Sequence, residues 1–254
     1  MFKIVKEFQV SKLTKIQQVR EDPNTFKPSE ACNIWVIRSP LAVVVIDAGT
    51  GKYNLYEYLD RKVDYLLLTH AHFDHFGGAI DFPDEIVYGS AVEDLDDASK
   101  IFTGVFKGQK TFAFRYKQNT LPIPERIELE PNVFLESILT RGHSVDSYCF
   151  YVKEWGAMFT GDVFLGSWTR KPDIWSDYQV EHEDEFFAIR QHILDTYELK
   201  IGFPGHGTSF AAHVCEKCKI ARTELMCGWC STIICVPCHF IHATNCKAQK
   251  SLDF

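Results

Sequence analysis

The stretch Thr69-His70-Ala71-His72-Phe73-Asp74-His75-Phe76-Gly77-Gly78 directly follows the apolar run Tyr65 to Leu68. Three histidines and one carboxylate fall between positions 70 and 75. Imidazole and carboxylate are the ligands that hold zinc or iron while leaving positions open for water and substrate. A loop that leaves a buried strand can aim all four side chains at one place, so this stretch reads as a strand end carrying a metal-binding loop.

On both sides of that loop, strand-like and helix-like segments alternate. Asn33 to Ile37 and Ala42 to Ile46 are short β-branched runs joined by the turn signal Ser39-Pro40. Tyr53 to Leu59 is a helix candidate, Val63 to Leu68 a buried strand and Glu85 to Tyr88 a further strand. Strand character resumes at Val133 to Leu139, Cys149 to Val152 and Ala157 to Thr160. Glu181 to Leu194 places Phe186, Ile189 and Ile193 at helical spacing, and Lys200 to Phe203 is the last strand. Lys100 to Pro124, with Phe102, Phe106, Phe112, Phe114 and Tyr116, reads as an edge hairpin or packed loop, with an aromatic flap over a substrate site as the alternative.

Three more punctuated motifs follow apolar runs. Thr140-Arg141-Gly142-His143-Ser144 and Pro204-Gly205-His206-Gly207 each offer a histidine, and Phe159-Thr160-Gly161-Asp162 offers an aspartate. Glycine beside each ligand permits a tight backbone path. One such motif is a weak signal; four in this order are a strong one.

The order THAHFDH, GHS, TGD and PGHG resembles the metallo-β-lactamase superfamily of hydrolases, from about Ile34 to Gly207. The resemblance implies an α/β fold, an αβ/βα sandwich of two mixed sheets flanked by helices, with metals at one edge. It implies that His70, His72 and His143 hold one metal, that Asp74, His75 and His206 hold a second, and that Asp162 bridges them. It places Asp47 behind a ligand as an orienting residue, although Asp47-Ala48-Gly49 also reads as a simple turn. Two catalytic zinc ions so held, or iron in their place, would generate hydroxide near neutral pH and stabilise the oxygen charge that develops during hydrolysis. Asp74 is the expected catalytic residue, orienting the nucleophile or shuttling a proton.

The complete set resembles thioesterases of the glyoxalase II type and lactonases. An aspartate at position 162 disfavours β-lactam cleavage, and the segment after Gly207 differs from the helical domain of hydroxyacylglutathione hydrolases. The expected substrate is therefore a small molecule with an ester, thioester or lactone-type bond. Persulfide dioxygenases share the scaffold with a single iron, for which His70, His143 and Asp162 would serve, and this remains an alternative enzyme.

Composition shifts after the last motif. Of nine cysteines, only Cys32 and Cys149 precede position 215. The rest form Cys215-x2-Cys218-x8-Cys227-x2-Cys230-x4-Cys235-x2-Cys238-x3-His242-x3-Cys246, eight soft ligands that suffice for two closed tetrahedral zinc sites. A segment this short has little core, so zinc must supply much of its folding free energy. The spacing resembles a B-box-type zinc finger, with the AN1-type finger as a second match. That resemblance implies interleaved structural sites, Cys215, Cys218, Cys235 and Cys238 around one zinc and Cys227, Cys230, His242 and Cys246 around the other, with His239 competing for the place of His242. It also implies a protein partner or self-association. The expected organisation is a catalytic domain over 1–211 and a small zinc-stabilised C-terminal module over 212–254. A scaffold acting through the finger is the reading from a different functional class.

The chain has 254 residues, 46% hydrophobic and 24% charged, enough for a full core. A formal net charge of -7 disfavours a nucleic-acid partner, which needs clustered positive charge. No apolar run approaches membrane-spanning length, and the start MFKIVKEFQV lacks a secretory apolar core. The expected location is cytoplasmic or nuclear, where clustered cysteines bind metal rather than form disulfides.

Overall fold

The computed structural model describes residues 1–21, 32–89, 120–164, 183–207, 209–211, 213–214, 222–223, 225–226 and 233–234. Within them, twelve strands form two six-stranded sheets. The first sheet runs in sequence order, β1 (Phe2–Gln9), β2 (Lys15–Glu21), β3 (Ile34–Arg38), β4 (Val43–Ile46), β5 (Tyr65–Leu67) and β6 (Val87–Tyr88). It is antiparallel from β1 to β4 and parallel from β4 to β6. The second sheet comprises β7 (Arg126–Glu130), β8 (Val133–Leu139), β9 (Tyr148–Val152), β10 (Ala157–Gly161), β11 (Ile201–Pro204) and β12 (Phe210–Ala211). Its β10–β11 pair is parallel and the rest antiparallel, so both sheets are mixed, as the motif order implied.

Side-chain alternation explains the layering. Along β3, Ile34 and Val36 face an outer cluster with Val19, Val45, Leu66, Leu68 and Phe76. Trp35 and Ile37 face the opposite way, against Phe150, Val152, Phe159 and Phe203 of the second sheet. Along β9, Phe150 and Val152 enter this inter-sheet core while Cys149 and Tyr151 join Met158, Val163 and Ile193 on the far side. Both faces of the inner strands β3 to β5 and β9 to β11 are covered, so these strands read as near-continuous apolar runs. The helices that cover them are short α1 (Leu55–Tyr58) and α2 (Phe73–Phe76) on the first sheet and α3 (Glu183–Thr196) on the second. Asn54 starts α1, its side chain accepting from the Glu57 amide at 2.8 Å.

Strands β1, β2 and β7 lie outside the runs that read as strands in the sequence. In β1 most positions are exposed, as befits an edge strand carrying Lys3, Lys6 and Glu7. In β2 the buried Gln17 and Gln18 conceal a strand because their amides are satisfied by Arg38, Glu7 and Asn33. In β7 the charged Arg126 and Glu128 are exposed while Ile127 and Leu129 are buried. Glu85-Ile86, read as strand, belongs to a 3-10 turn over Asp84–Ile86, and the strand itself is Val87–Tyr88. Positions 100–119 of the aromatic segment and all eight proposed finger ligands lie outside the described residues. Two short pairings are described beyond position 211, His213–Val214 with Arg222–Thr223 and Leu225–Met226 with Ile233–Ile234. No helix among the described residues is long and apolar enough to cross a membrane.

Candidate metal centre

Strands β4 and β5 run parallel, so their C-terminal ends share one edge, where Asp47 and Thr69 emerge side by side. In the second sheet β8, β10 and β11 end on a common edge too, because β9 reverses direction between β8 and β10. The Tyr148 amide donates to the Thr69 carbonyl at 2.7 Å and stitches the two edges together. The loop after β5, the β8–β9 loop and the turns after β10 and β11 therefore converge, and with them every side chain singled out by the four motifs.

Two groups form. His70 Nε2, His72 Nδ1 and His143 Nε2 make a triangle with edges of 2.9, 3.0 and 3.2 Å. Around the second, His206 Nε2 lies 3.0 Å from Asp74 Oδ2 and 3.3 Å from His75 Nε2, and Asp74 Oδ2 lies 3.8 Å from His75 Nε2. Asp162 stands between them, with Oδ2 at 3.6 Å from both His143 Nε2 and His206 Nε2 and Oδ1 at 3.4 Å from His75 Nε2. Tetrahedral ligands about 2.0–2.1 Å from zinc are separated by about 3.3 Å, so both groups have the spacing a shared cation requires. Among the described residues the buried Asp162 Oδ1 accepts no well-formed hydrogen bond, an omission that a cation at this point would remedy.

Burial and mutual charge divide the histidines. Burial, reinforced by neighbouring imidazoles, holds His70 well below the usual histidine range, and burial pushes His143 down to about 3. Burial also opposes charge on His75 and His206, but Cys32, Asp47, Asp162 and Asp74 around His75, and Asp162 and Asp74 around His206, outweigh it and raise both. Burial would raise Asp74, yet the His75 and His206 charges hold it at about 2. Asp162 is likewise held well below the usual range by His206, His75 and His143 against its burial. The Asp74 side chain retains 17% exposure while His75 has none, so Asp74 faces the open side of the centre.

Asp47 is buried and has a left-handed backbone, φ 63°. Its Oδ1 accepts from the Thr69 amide at 2.8 Å, and its Oδ2 lies 2.7 Å from His75 Nδ1. That bond directs Nε2 of His75 toward Asp74 and Asp162, an orienting arrangement rather than a turn alone. Gly205 is required by closeness: a Cβ there would lie 2.4 Å from Asp162 Oδ1 and 2.6 Å from His75 Cε1.

Other contributors have no local sequence signature. Asp146 Oδ2 accepts from the Ala71 amide at 2.8 Å, and its Oδ1 accepts from Ser144 Oγ at 2.7 Å, tying the His143 loop to the His70 loop. Cys32 Sγ lies 3.5 Å from His75 Nδ1 and forms with Asp47 and His75 a further buried ligand-type cluster. Thr69 Oγ1 lies 2.9 Å from His70 Nδ1. Thr69 was in the motif stretch, but the roles of Asp146 and Cys32 depend on contacts across the fold.

Residues 29–207 match the family described as the Metallo-beta-lactamase superfamily, and the chain belongs to that superfamily. It is 28% identical to Thioesterase pkgB of Emericella nidulans over 189 residues, 70% of this chain and 46% of that protein. It is 26% identical to an Atrochrysone carboxyl ACP thioesterase of Aspergillus fumigatus over 191 residues, 70% of this chain and 51% of that protein. The chain thus spans about half the length of these curated relatives. Among solved structures, a metallo-beta-lactamase from Pontibacter korlensis superposes with a TM-score of 0.57 at 17% identity, covering 81% of this chain and 93% of that one, a likeness of fold.

Proposed function

We propose that this chain is a metal-dependent hydrolase that cleaves an ester, thioester or lactone-type bond of a small molecule, with thioesters favoured. The observation that carries this reading is the placement of Asp162 between two ligand triangles drawn from four separate loops. The printed names of two relatives, both thioesterases, support the choice of bond. His70, His72 and His143 would hold one zinc, Asp74, His75 and His206 a second, and Asp162 both. When bound, the metals would supply hydroxide near neutral pH and Lewis-acid stabilisation of the developing oxygen charge. The chain's own contribution is positional and protonic. Asp47 fixes the ring of His75, Asp146 locks the two histidine loops together, and Asp74, charged at neutral pH and open to solvent, orients the attacking water or carries its proton.

For the segment 212–254 we propose a separate interaction module stabilised by two structural zinc ions through Cys215, Cys218, Cys227, Cys230, Cys235, Cys238, His242 and Cys246. The spacing of three CxxC pairs supports it.

Elemental mass spectrometry on the full-length chain, purified without added metal, tests both parts together with turnover of an acyl-thioester panel. About four zinc per chain with thioester hydrolysis is the expected result. About two zinc and one iron, with oxygen consumed on a persulfide, would replace the hydrolase by a dioxygenase. About two zinc, no metal uptake by the large domain on reconstitution and no turnover would leave a scaffold.

A further inference from the structure

The loop that carries His206 is held from the other sheet. The Asn33 amide donates to the Gly205 carbonyl at 2.6 Å. Asn33 Nδ2 donates to both the Pro204 and the Gly207 carbonyls at 2.9 Å. Asn33 Oδ1 accepts from Gln18 Nε2 at 2.7 Å and from Arg20 Nε at 2.6 Å. All four side-chain hydrogen-bonding positions of a fully buried asparagine are therefore used. Two neighbours reinforce the grip, Trp35 Nε1 donating to the Pro204 carbonyl at 3.0 Å and Arg20 Nη2 to the Gly207 carbonyl at 2.5 Å.

We infer that Asn33 is a positioning residue for His206. By fixing the carbonyls of Pro204, Gly205 and Gly207, it sets the place of the imidazole between them and hence how tightly the Asp74–His75–His206 group holds its metal. This rests on the metal-centre reading above. The clamp has a clear physical basis: a buried amide with every partner satisfied is rigid, and losing its side-chain donors leaves the Pro204 and Gly207 carbonyls with one donor each, from Trp35 and Arg20, in place of two. Cys32, one residue earlier, touches His75, so one short segment abuts His75 and the backbone around His206.

The test is stepwise metal loss from the full-length chain loaded with zinc and dialysed against graded chelator, read by elemental mass spectrometry. Asn33→Asp keeps the shape of the side chain and its acceptors for Arg20 but deletes both N–H donors. His206→Ala and His143→Ala identify which equivalent belongs to which group. The expected result is that Asn33→Asp releases the equivalent that His206→Ala removes at roughly 10- to 100-fold weaker chelation than the wild type, with the other equivalents unmoved. The double variant Asn33→Asp/His206→Ala should hold metal no worse than His206→Ala alone, because both act on one site. Retention at the wild-type chelator concentration, or equal weakening of every equivalent, would overturn the inference while leaving the metal reading intact. A wild type with no metal outside the cysteine-rich tail would overturn the metal reading and this inference together. If Asn33→Asp does not fold, Arg20→Gln carries the test: it removes one loop contact and should shift the same equivalent in the same direction, and no shift counts against the clamp.

Discussion

The first sheet delivers four of the candidate ligands from one loop, residues 70 to 75, whereas the second delivers three from three separate loops, at 143, 162 and 206. Local chain geometry places His70, His72, Asp74 and His75, since short α2 begins within the run and carries Asp74 and His75 in its single turn. His143, Asp162 and His206 are brought together by sheet order and by the packing of one sheet on the other. Neither half completes a group alone: His143 closes the triangle of His70 and His72, and His206 closes that of Asp74 and His75. The centre is therefore as well made as the inter-sheet core that aligns its halves.

The hardest break is at the carboxylate that joins the halves. Asp162→Ala should reduce thioester turnover by roughly 10³-fold or more, in the range for losing a positioned catalytic group. Steady-state hydrolysis checks it, and wild-type turnover would remove Asp162 from the mechanism. Loosening the alignment without touching a ligand comes next. Phe203, fully buried, stacks on Phe159 at 4.9 Å and packs against Trp35 at 4.8 Å and Phe8 at 5.1 Å. Phe203→Ala should cost about 3–5 kcal/mol of stability, measured by denaturant unfolding, and should weaken the His206 group more than the His70 group. A loss below about 1 kcal/mol would mean that this core does not bind the sheets together.

On the first-sheet side, Asp47→Asn should lower metal affinity by about 10- to 100-fold by weakening the tie to His75 Nδ1, with a smaller effect on the His70–His72–His143 group. Chelator competition reads it, and equal weakening of both groups would argue that Asp47 serves the loop as a whole. The smallest effect concerns protons. In the metal-free protein His75 and His206 are held above the usual histidine range by the carboxylates around them, while burial holds His70 and His143 below it. Metal at the His206 group should therefore compete with protons more than metal at the His70 group, so its affinity should rise with pH until the raised values are passed. The His70 group should show little such dependence from His70 and His143. Calorimetric zinc titration in buffers of different ionisation enthalpy, with His206→Ala as the reference, measures the difference; equal proton release by wild type and variant would contradict this division.

Legibility followed the same split. The density of ligands at 70–75 announced itself, and the motifs around His143, Asp162 and His206 were visible because each follows an apolar run and carries glycine. Strand β2 is hidden because its buried glutamines are satisfied only by partners outside it, and β1 because almost none of its positions is buried, whereas β7 does carry the period-two alternation of a half-buried strand over a short five-residue run. Asp47 illustrates the limit: Asp-Ala-Gly looks like any turn until β4 and β5 lie parallel and set it beside Thr69 and His75.

The sequence by itself determined which residue types gather at the strand ends and in what order, because metal chemistry admits few side chains and tight turns favour glycine. Only the tertiary structure decided that Asp162 lies between two groups, that Asp47 directs His75, and that Asn33 grips the His206 loop from a position more than 170 residues away. Those relations are hydrogen bonds and spacings across two packed sheets, and no local pattern encodes a partner that distant in the chain.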